Sequence, residues 1–372
     1  MAAATHIPHI RARIIEDLEE TPVLAAFYEC APRPTTAKSR GYHPDFAMLT
    51  NAPRILRNSS AGATPLLGIE IGGTKLQLAI SAEPGRVDEL ARLDVGPGGA
   101  AGIRAAIESV LPILLDGRRV RAAAIGFGGP VDRATGTVAT SHQVGGWDDF
   151  PLADWLSRLV GNAPVAIEND SNAAALGEAI HGAGRGCDPV FYFNAGTGIG
   201  GGLVVGGRLY HARPPGEVEF GHLRLDRAGT TLEDRCAGVA VDRLVREAVA
   251  RDPTSILAER VRSQPHPGGE ARHLGPAADA DDPAAIALLA SVGDDISWAL
   301  SHAVHLLHPQ VIVFGGGLSL VGSRLIGVIS ERLRTYTMRA FHPVPMIRPA
   351  GLAELAVPIG ALELAGTTAA LG

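Results

Sequence analysis

Short strand-like apolar runs broken by glycines alternate, along most of this chain, with longer stretches of helical period. LLGIEI and KLQLAI, separated by Gly72-Gly73-Thr74, read as the two strands of a hairpin. AGIRAAIESVLPILL spaces its apolar residues as a helix does, AAAIGFG is a short buried strand, and APVAIEND is another that runs directly into a helix, SNAAALGEA. VFYFNAGTGIGGGLVVGGRLYH then repeats the opening plan, two strands about a glycine-rich turn. The helix IALLASVGDDISWALSHAVHLLHP leads into the strand VIVFGG, and a last strand, AVPIG, precedes a terminal helix, ALELAGTTAAL. This alternation predicts an α/β chain, and the likeness of its halves predicts two similar α/β domains facing one another across a cleft. Residues 65–179 with 357–372 make the smaller domain and residues 180–356 the larger.

Two segments break the pattern. Residues 1–64 contain one short helical stretch, IRARIIEDLEE, among turn formers, and read as a weakly structured extension. Residues 261–284 read as a polar surface loop.

Composition narrows the function classes. The chain has 372 residues, 46% of them hydrophobic, enough to bury large cores. Thirty-nine acidic residues stand against 33 Lys and Arg, with no long basic block and only 5% aromatics, which argues against a nucleic-acid partner. The three cysteines, Cys30, Cys187 and Cys236, are an odd count without CxxC spacing, so neither a disulfide framework nor a cysteine-rich zinc site is expected. Apolar runs of strand length and the absence of a basic-then-apolar start predict a soluble, cytoplasmic protein with no membrane partner.

The candidate chemistry lies in the glycine turns and in the turn after APVAI. Gly196-Thr197-Gly198-Ile199-Gly200-Gly201 satisfies G-x-G-x-x-G, but a dinucleotide fingerprint must open a helix, and here the strand LVVGGRLYH follows. A phosphate-binding hairpin, its backbone N–H groups aimed at phosphate oxygens, fits the context instead. Gly72, Gly73, Thr74 and Lys75 also lie between strands, and no P-loop string occurs. Gly315, Gly316 and Gly317 form a third such turn after VIVF. Asp170 is the candidate general base: a sugar hydroxyl is a poor nucleophile at neutral pH, and an aligned carboxylate accepts its proton as the bond to phosphorus forms. The alternative use of Asp170 is as a cap for the helix that follows. Asn169 has the donor and acceptor pair suited to a sugar diol, and Glu219, His222 and Glu233 form a second polar group suited to adjacent hydroxyls. The turn at Gly129 allows close backbone approach to a ligand, with His142, Gln143 and Trp147 as candidates for the sugar side. Glu70 is placed to orient Mg²⁺ through water, or is a solvated residue at a strand edge.

Taken together, GIEIGGTKLQLAI, AIGFGGPVD, IENDSNAAALGE, FNAGTGIGGGLVVGGRLYHA, EFGHL and VFGGGLS resemble the ROK family of sugar kinases. The likeness extends more broadly to the sugar kinase, hsp70 and actin (ribonuclease H-like) fold, and covers about residues 65–372. It implies a cleft that holds ATP and Mg²⁺ with a hexose at its base. It also implies Asp170 as base, Asn169, Glu219, His222 and Glu233 as sugar contacts, Gly72 to Thr74 and Gly196 to Gly201 as phosphate loops, and Gly315 to Gly317 as the adenosine-side turn. Many members carry a Cys-rich zinc module between the Gly-His pair and the later Leu-Glu. Here only ten residues separate His222 from Glu233 and none is Cys, so no structural zinc is expected. The reaction implied is transfer of the ATP γ-phosphoryl group to a hexose hydroxyl, O6 of glucose first, with fructose or an N-acetylhexosamine as the alternative acceptor. A non-catalytic sugar-sensing regulator is the rival from another class, and a homodimer is compatible with the resemblance.

Overall fold

Each of the two strand-flanked glycine turns closes an antiparallel hairpin, and each hairpin heads a mixed sheet. The computed structural model describes residues 54–57, 64–96, 98–139, 144–213, 216, 218–265 and 268–371. The strands are β1 (Arg54–Arg57), β2 (Leu66–Ile71), β3 (Lys75–Ser81), β4 (Glu89–Asp94), β5 (Ala122–Phe127), β6 (Val131–Asp132), β7 (Thr137–Val138), β8 (Val165–Asn169), β9 (Val190–Ala195), β10 (Ile199–Val205), β11 (Arg208–Leu209), β12 (Val311–Gly315) and β13 (Met346–Pro349). One sheet runs β1-β4-β3-β2-β5-β8, the other β11-β10-β9-β12-β13, and β6 and β7 form a separate small hairpin. In the first, β2 pairs antiparallel with β3 while β2, β5 and β8 run parallel. In the second, β9 pairs antiparallel with β10 while β9, β12 and β13 run parallel. The two halves thus share one plan. Within the segment expected to be an extension, β1 pairs with β4 from Arg54↔Arg92 to Arg57↔Glu89, and residues 1–53 lie outside the described residues.

The helices are α1 (Gly99–Leu115), α2 (Leu152–Leu159), α3 (Asp170–Ile180), α4 (Leu232–Cys236), α5 (Gly238–Arg251), α6 (Ile256–Ser263), α7 (Leu274–Asp279), α8 (Pro283–Leu307), α9 (Ser323–Tyr336) and α10 (Ala356–Leu371). Strand periodicity sorts side chains between two faces of each sheet. Leu67, Ile69 and Ile71 of β2 join Ile103, Ile107 and Leu111 of α1 in one core, while Leu66 packs with Leu362 and Ala365 of α10 on the opposite face. Phe191 and Phe193 of β9 likewise face Ile296 and Leu300 of α8, and Val190 and Tyr192 face Ala174 and Ala175 of α3. Helices α3 and α10 therefore lie side by side between the sheets. They cross at glycines: a Cβ on Gly177 would lie 2.6 Å from the Ala356 carbonyl oxygen, and one on Gly360 would lie 1.7 Å from that of Ala173. Glu178, fully buried, accepts the N–H groups of Ala183, Gly351 and Leu352 at 2.7–2.9 Å and so ties the end of α3 to the start of the chain's last segment.

Three expectations are corrected. AVPIG is the first turn and a half of α10, not a strand. Five apolar residues cannot be assigned by period alone, and proline is tolerated in a first helical turn. Residues 261–284 are not a loop: they include the end of α6, a 3-10 turn at Glu270–His273 and α7, whose Leu274, Ala277 and Ala278 are buried. Alanine and glycine pack there where a sequence pattern shows little hydrophobicity. Trp147 is buried in the first core, edge-on to Phe127 and Phe150 at 5.4 Å, rather than lining a sugar pocket. His142 and Gln143 lie outside the described residues. Two helical segments, Pro283–Leu307 and Ala353–Leu371, have the length and hydropathy to cross a membrane. Both supply residues to the cores described above, as core helices of a globular fold do.

Candidate active site

Parallel strands β2, β5 and β8 end together, and that alignment assembles the first wall of the site. The Gly128 N–H donates to the Ile71 carbonyl at 2.8 Å. A Cβ on Gly128 would lie 3.3 Å from Asp170 Oδ2 and 3.6 Å from the Gly72 Cα, so Asp170, the β2–β3 turn and the end of β5 share one small space. Asn169 is the N-cap of α3: its Oδ1 accepts the N–H groups of Ser171 at 2.9 Å and Asn172 at 3.2 Å. Its Nδ2 donates to the Gly129 carbonyl at 3.3 Å. Capping falls to Asn169, which frees the neighbouring Asp170 carboxylate from that duty. The Ser171 hydroxyl, at 3.2 Å from Oδ1, donates to it.

The second wall comes from the β9–β10 hairpin, which abuts the same helix end. A Cβ on Gly200 would fall 2.0 Å from Ser171 Oγ, and one on Gly202 would fall 2.5 Å from Ala175 Cβ. Glycine at these two places is what lets β10 approach α3. Within the hairpin the Gly196 N–H donates to the Gly198 carbonyl, Gly200 to Asn194 Oδ1 at 2.8 Å, and Ile199 to Glu233 Oε2 at 2.6 Å. Thr197 is left exposed at the tip. In the first hairpin Gly72 donates to the Lys75 carbonyl, and Thr74 is the exposed tip residue. Gly316, at φ +78°, lies against the backbone of Ala195, which brings the turn at Gly315 to Gly317 beside the base of the second hairpin.

Two other carboxylates act on Asp170 here. Burial, then the charge of Glu70, and further the charge of Glu219, push the Asp170 carboxyl up from 3.8 to about 6 against the hydrogen bonds of Ser171. Glu70 is itself buried and raised by desolvation, opposed by Lys75 and Gln77. Its oxygens are both engaged, one with Lys75 Nζ at 3.0 Å and the other with Gln77 Nε2 at 2.6 Å, so it anchors Lys75 inside the site rather than standing solvated at a strand edge.

Glu219 and His222 flank a 3-10 turn, Phe220–His222, and both are exposed. The turn is seated by a close backbone approach, since a Cβ on Gly221 would lie 2.3 Å from the Ile199 carbonyl oxygen. Glu233 lies against Gly198 of the second hairpin, while His222 stands near Asp234, whose carboxyl is held low by Thr231 and, less, by that imidazole. The ten residues from Leu223 to Leu232 close on themselves. Arg224 and Thr231 form a β-bridge, Asp226 Oδ1 accepts Gly229 and Thr230 N–H groups at 2.9 and 3.1 Å, and Thr231 with Asp234 makes a capping box at the start of α4. Among the described residues no group of three or more His, Cys, Asp and Glu converges on a metal position. The hydrogen bonds of Asp226, Thr231 and Asp234 hold this loop, and two results should follow from them. Prolonged zinc chelation before assay in fresh Mg²⁺ should leave the melting temperature unchanged, whereas a fall of several degrees would reveal a structural metal. Thr231→Ala should cost about 1 kcal/mol by thermal denaturation, the usual value of a lost cap.

Sequence reasoning gave no role to Glu168, Arg133 or His211, which meet behind Asp170. His211 Nε2 lies 2.8 Å from Glu168 Oε2, and Arg133 Nη1 lies 3.8 Å from Oε1. A carboxylate inside an otherwise apolar strand run was the available signal.

Comparison with known proteins gives the family. The ROK family model matches residues 66–368. A glucokinase of Thermotoga maritima is 31% identical over 309 residues, covering 80% of this chain and 96% of that protein. A ROK family glucokinase of Streptomyces griseus, crystallised with glucose and AMPPNP, superposes with a TM-score of 0.70 at 30% identity, covering 82% of this chain and 99% of that one. A ROK family transcriptional regulator, a homolog of the E. coli MLC protein, superposes with a TM-score of 0.72 at 20% identity over 82% of this chain and 78% of its own, a likeness of fold alone. With the family model spanning residues 66–368 and glucokinases matched over 96% and 99% of their own lengths, this chain belongs to the ROK family, as a glucokinase-like sugar kinase.

Proposed function

We propose that this protein transfers the γ-phosphoryl group of ATP to a hexose hydroxyl, O6 of glucose, with Asp170 as the general base. The observation that carries this reading is the placement of Asp170 where the two glycine hairpins meet, with a carboxyl raised to about 6. A base titrating near 6 is ionised at neutral pH yet basic enough to take a hydroxyl proton as the acceptor oxygen bonds to phosphorus. Since the fold is shared with a regulator, the carboxylate and hairpins rather than the architecture favour catalysis.

The N–H groups of Gly72, Gly196 and Gly200 are committed inside their hairpins, and that of Ile199 to Glu233 of α4. Phosphate recognition therefore falls to the tips, the amides of Gly73, Thr74, Thr197 and Gly198 with the Thr74 hydroxyl. Lys75, held by Glu70, lies beside the first tip. Mg²⁺ supplies charge neutralisation on the phosphate oxygens when bound. Asn169, fixed by its capping bonds, presents the remaining Nδ2 hydrogen toward the sugar side, and Glu219, His222 and Glu233 border that side. The glucose assignment rests on the named relatives, the acceptors of T. maritima and S. griseus glucokinases by their names.

The test is coupled ADP release from Mg²⁺-ATP against glucose, fructose, mannose, N-acetylglucosamine and N-acetylmannosamine. Glucose should be turned over with the highest kcat/KM; a larger value for another sugar displaces glucose, and silence on all five favours the regulatory reading. The pH profile offers a second check. The base works only deprotonated, so kcat/KM for the sugar should rise with pH through about 6 and level above it. Between pH 5 and 7 that is about a tenfold gain. A profile flat down to pH 4.5 would show that the carboxyl titrates in the ordinary range.

A further inference from the structure

Glu168 is 1% exposed, and its two oxygens serve different parts of the molecule. Oε1 accepts the Asn169 N–H at 2.9 Å and Asn172 Nδ2 at 3.0 Å, and Arg133 approaches the same oxygen. Asn169 ends β8 and Asn172 lies in the helix turn that follows it, while Arg133 comes from the small β6–β7 hairpin, so that oxygen sets the Asn169-Asp170 turn. Oε2 takes His211 Nε2, which comes from the other sheet, two residues after β11. A carboxylate only accepts, so His211 carries its proton on Nε2 in this contact. The His211 side chain is 40% exposed while that of Glu168 is 2% exposed. Breaking the contact returns the imidazole to water at little cost but leaves a carboxylate oxygen buried without its donor, which favours re-forming it.

We infer that Glu168 and His211 are a positioning pair: Glu168 fixes the catalytic turn with one oxygen and, with the other, fastens to it His211, which lies just beyond β11 and upstream of Glu219 and His222. Neither residue touches the reacting atoms. The pair sets the distance between the base and the sugar-side residues, an inference that rests on the sugar-kinase reading above. Glu219 lies eight positions beyond His211, and its neighbour Val218 lies against Gly201 of the second hairpin, a Cβ there falling 2.8 Å from the Val218 carbonyl oxygen.

Steady-state kinetics on His211→Leu and His211→Gln test it. Leucine removes the donor; the glutamine amide reaches the same oxygen. His211→Leu should raise the sugar KM about tenfold, the value of one hydrogen bond to a charged group, with kcat and the ATP KM within about twofold of the unchanged chain. His211→Gln should restore most of the loss. A sugar KM unmoved by leucine, a matching rise in the ATP KM, or no rescue by glutamine overturns the inference. If the unchanged chain turns over no sugar, the kinase reading fails separately, and amide exchange of the free protein still decides the positioning role. There, His211→Leu should speed exchange at Phe220 to Leu223 and leave β9 unchanged; equal rates in both proteins would overturn it.

Discussion

Asp170→Asn is expected to lower kcat by about 10²-fold or more, the loss of a positioned proton acceptor, while leaving ATP affinity within about twofold. The same substitution should stabilise the protein. The folded carboxyl titrates near 6 and the unfolded one near 3.8, so the native state binds this proton more tightly. Its contribution to stability is then fully present below the unfolded value and is lost as pH rises through 6, leaving the ionised group a net cost at pH 8. Removing the charge should recover about 1 to 3 kcal/mol at pH 8 and nothing near pH 3.5, where the native carboxyl is already neutral. Denaturant unfolding at the two pH values measures this. Equal stability of Asp170→Asn and the unchanged chain at pH 8 would refute the desolvated base, and near-normal turnover in the folded variant would refute the base altogether.

The second large effect is structural. Gly360→Ala places a methyl group 1.7 Å from the Ala173 carbonyl oxygen, which only separation of α3 from α10 relieves. The expected cost is about 3 kcal/mol or more, a melting temperature lower by roughly 4 °C or more. Because α3 begins at Asp170, activity at a permissive temperature should fall as well. Gly102→Ala is the control: a Cβ there meets nothing within 4 Å, in the interior of α1. It should raise stability by up to about 1 kcal/mol through helix propensity alone. A Gly360→Ala protein as stable as this control would show that the helices pass with room to spare.

Much of the architecture was legible because period-2 runs and glycine turns are local signals. The hairpins β2–β3 and β9–β10, the strand that delivers Asp170 and the helix after it were all readable from LLGIEIGGTKLQLAI, FNAGTGIGGG and VAIENDSNAAALGE. α10 was misread at its start because a helix enclosed by a sheet on one side and a helix on the other is apolar all round, with no amphipathic stripe to set its period. The residues 268–284 were misread because small residues filled the core there. Glu168 escaped notice for a different reason: its motif was in plain view, but its partner lies 43 positions away on another sheet, and no local pattern pairs them. The division of labour between Asn169 as cap and Asp170 as free carboxylate also required coordinates, since either residue type suits either role.

The crossing of α3 and α10 bears on how such a protein changes over evolutionary time. The rod that carries the base is also the spacer between the sheets, and at Gly177 and Gly360 it has no room for a single added carbon. Drift along α3 is therefore punished twice, once in folding and once in turnover. The stretch from Leu223 to Leu232, by contrast, is closed by its own hydrogen bonds, so a change there leaves the helix crossing untouched. A lineage can remodel that stretch while inheriting the base, and its distance from the phosphate hairpins, unaltered.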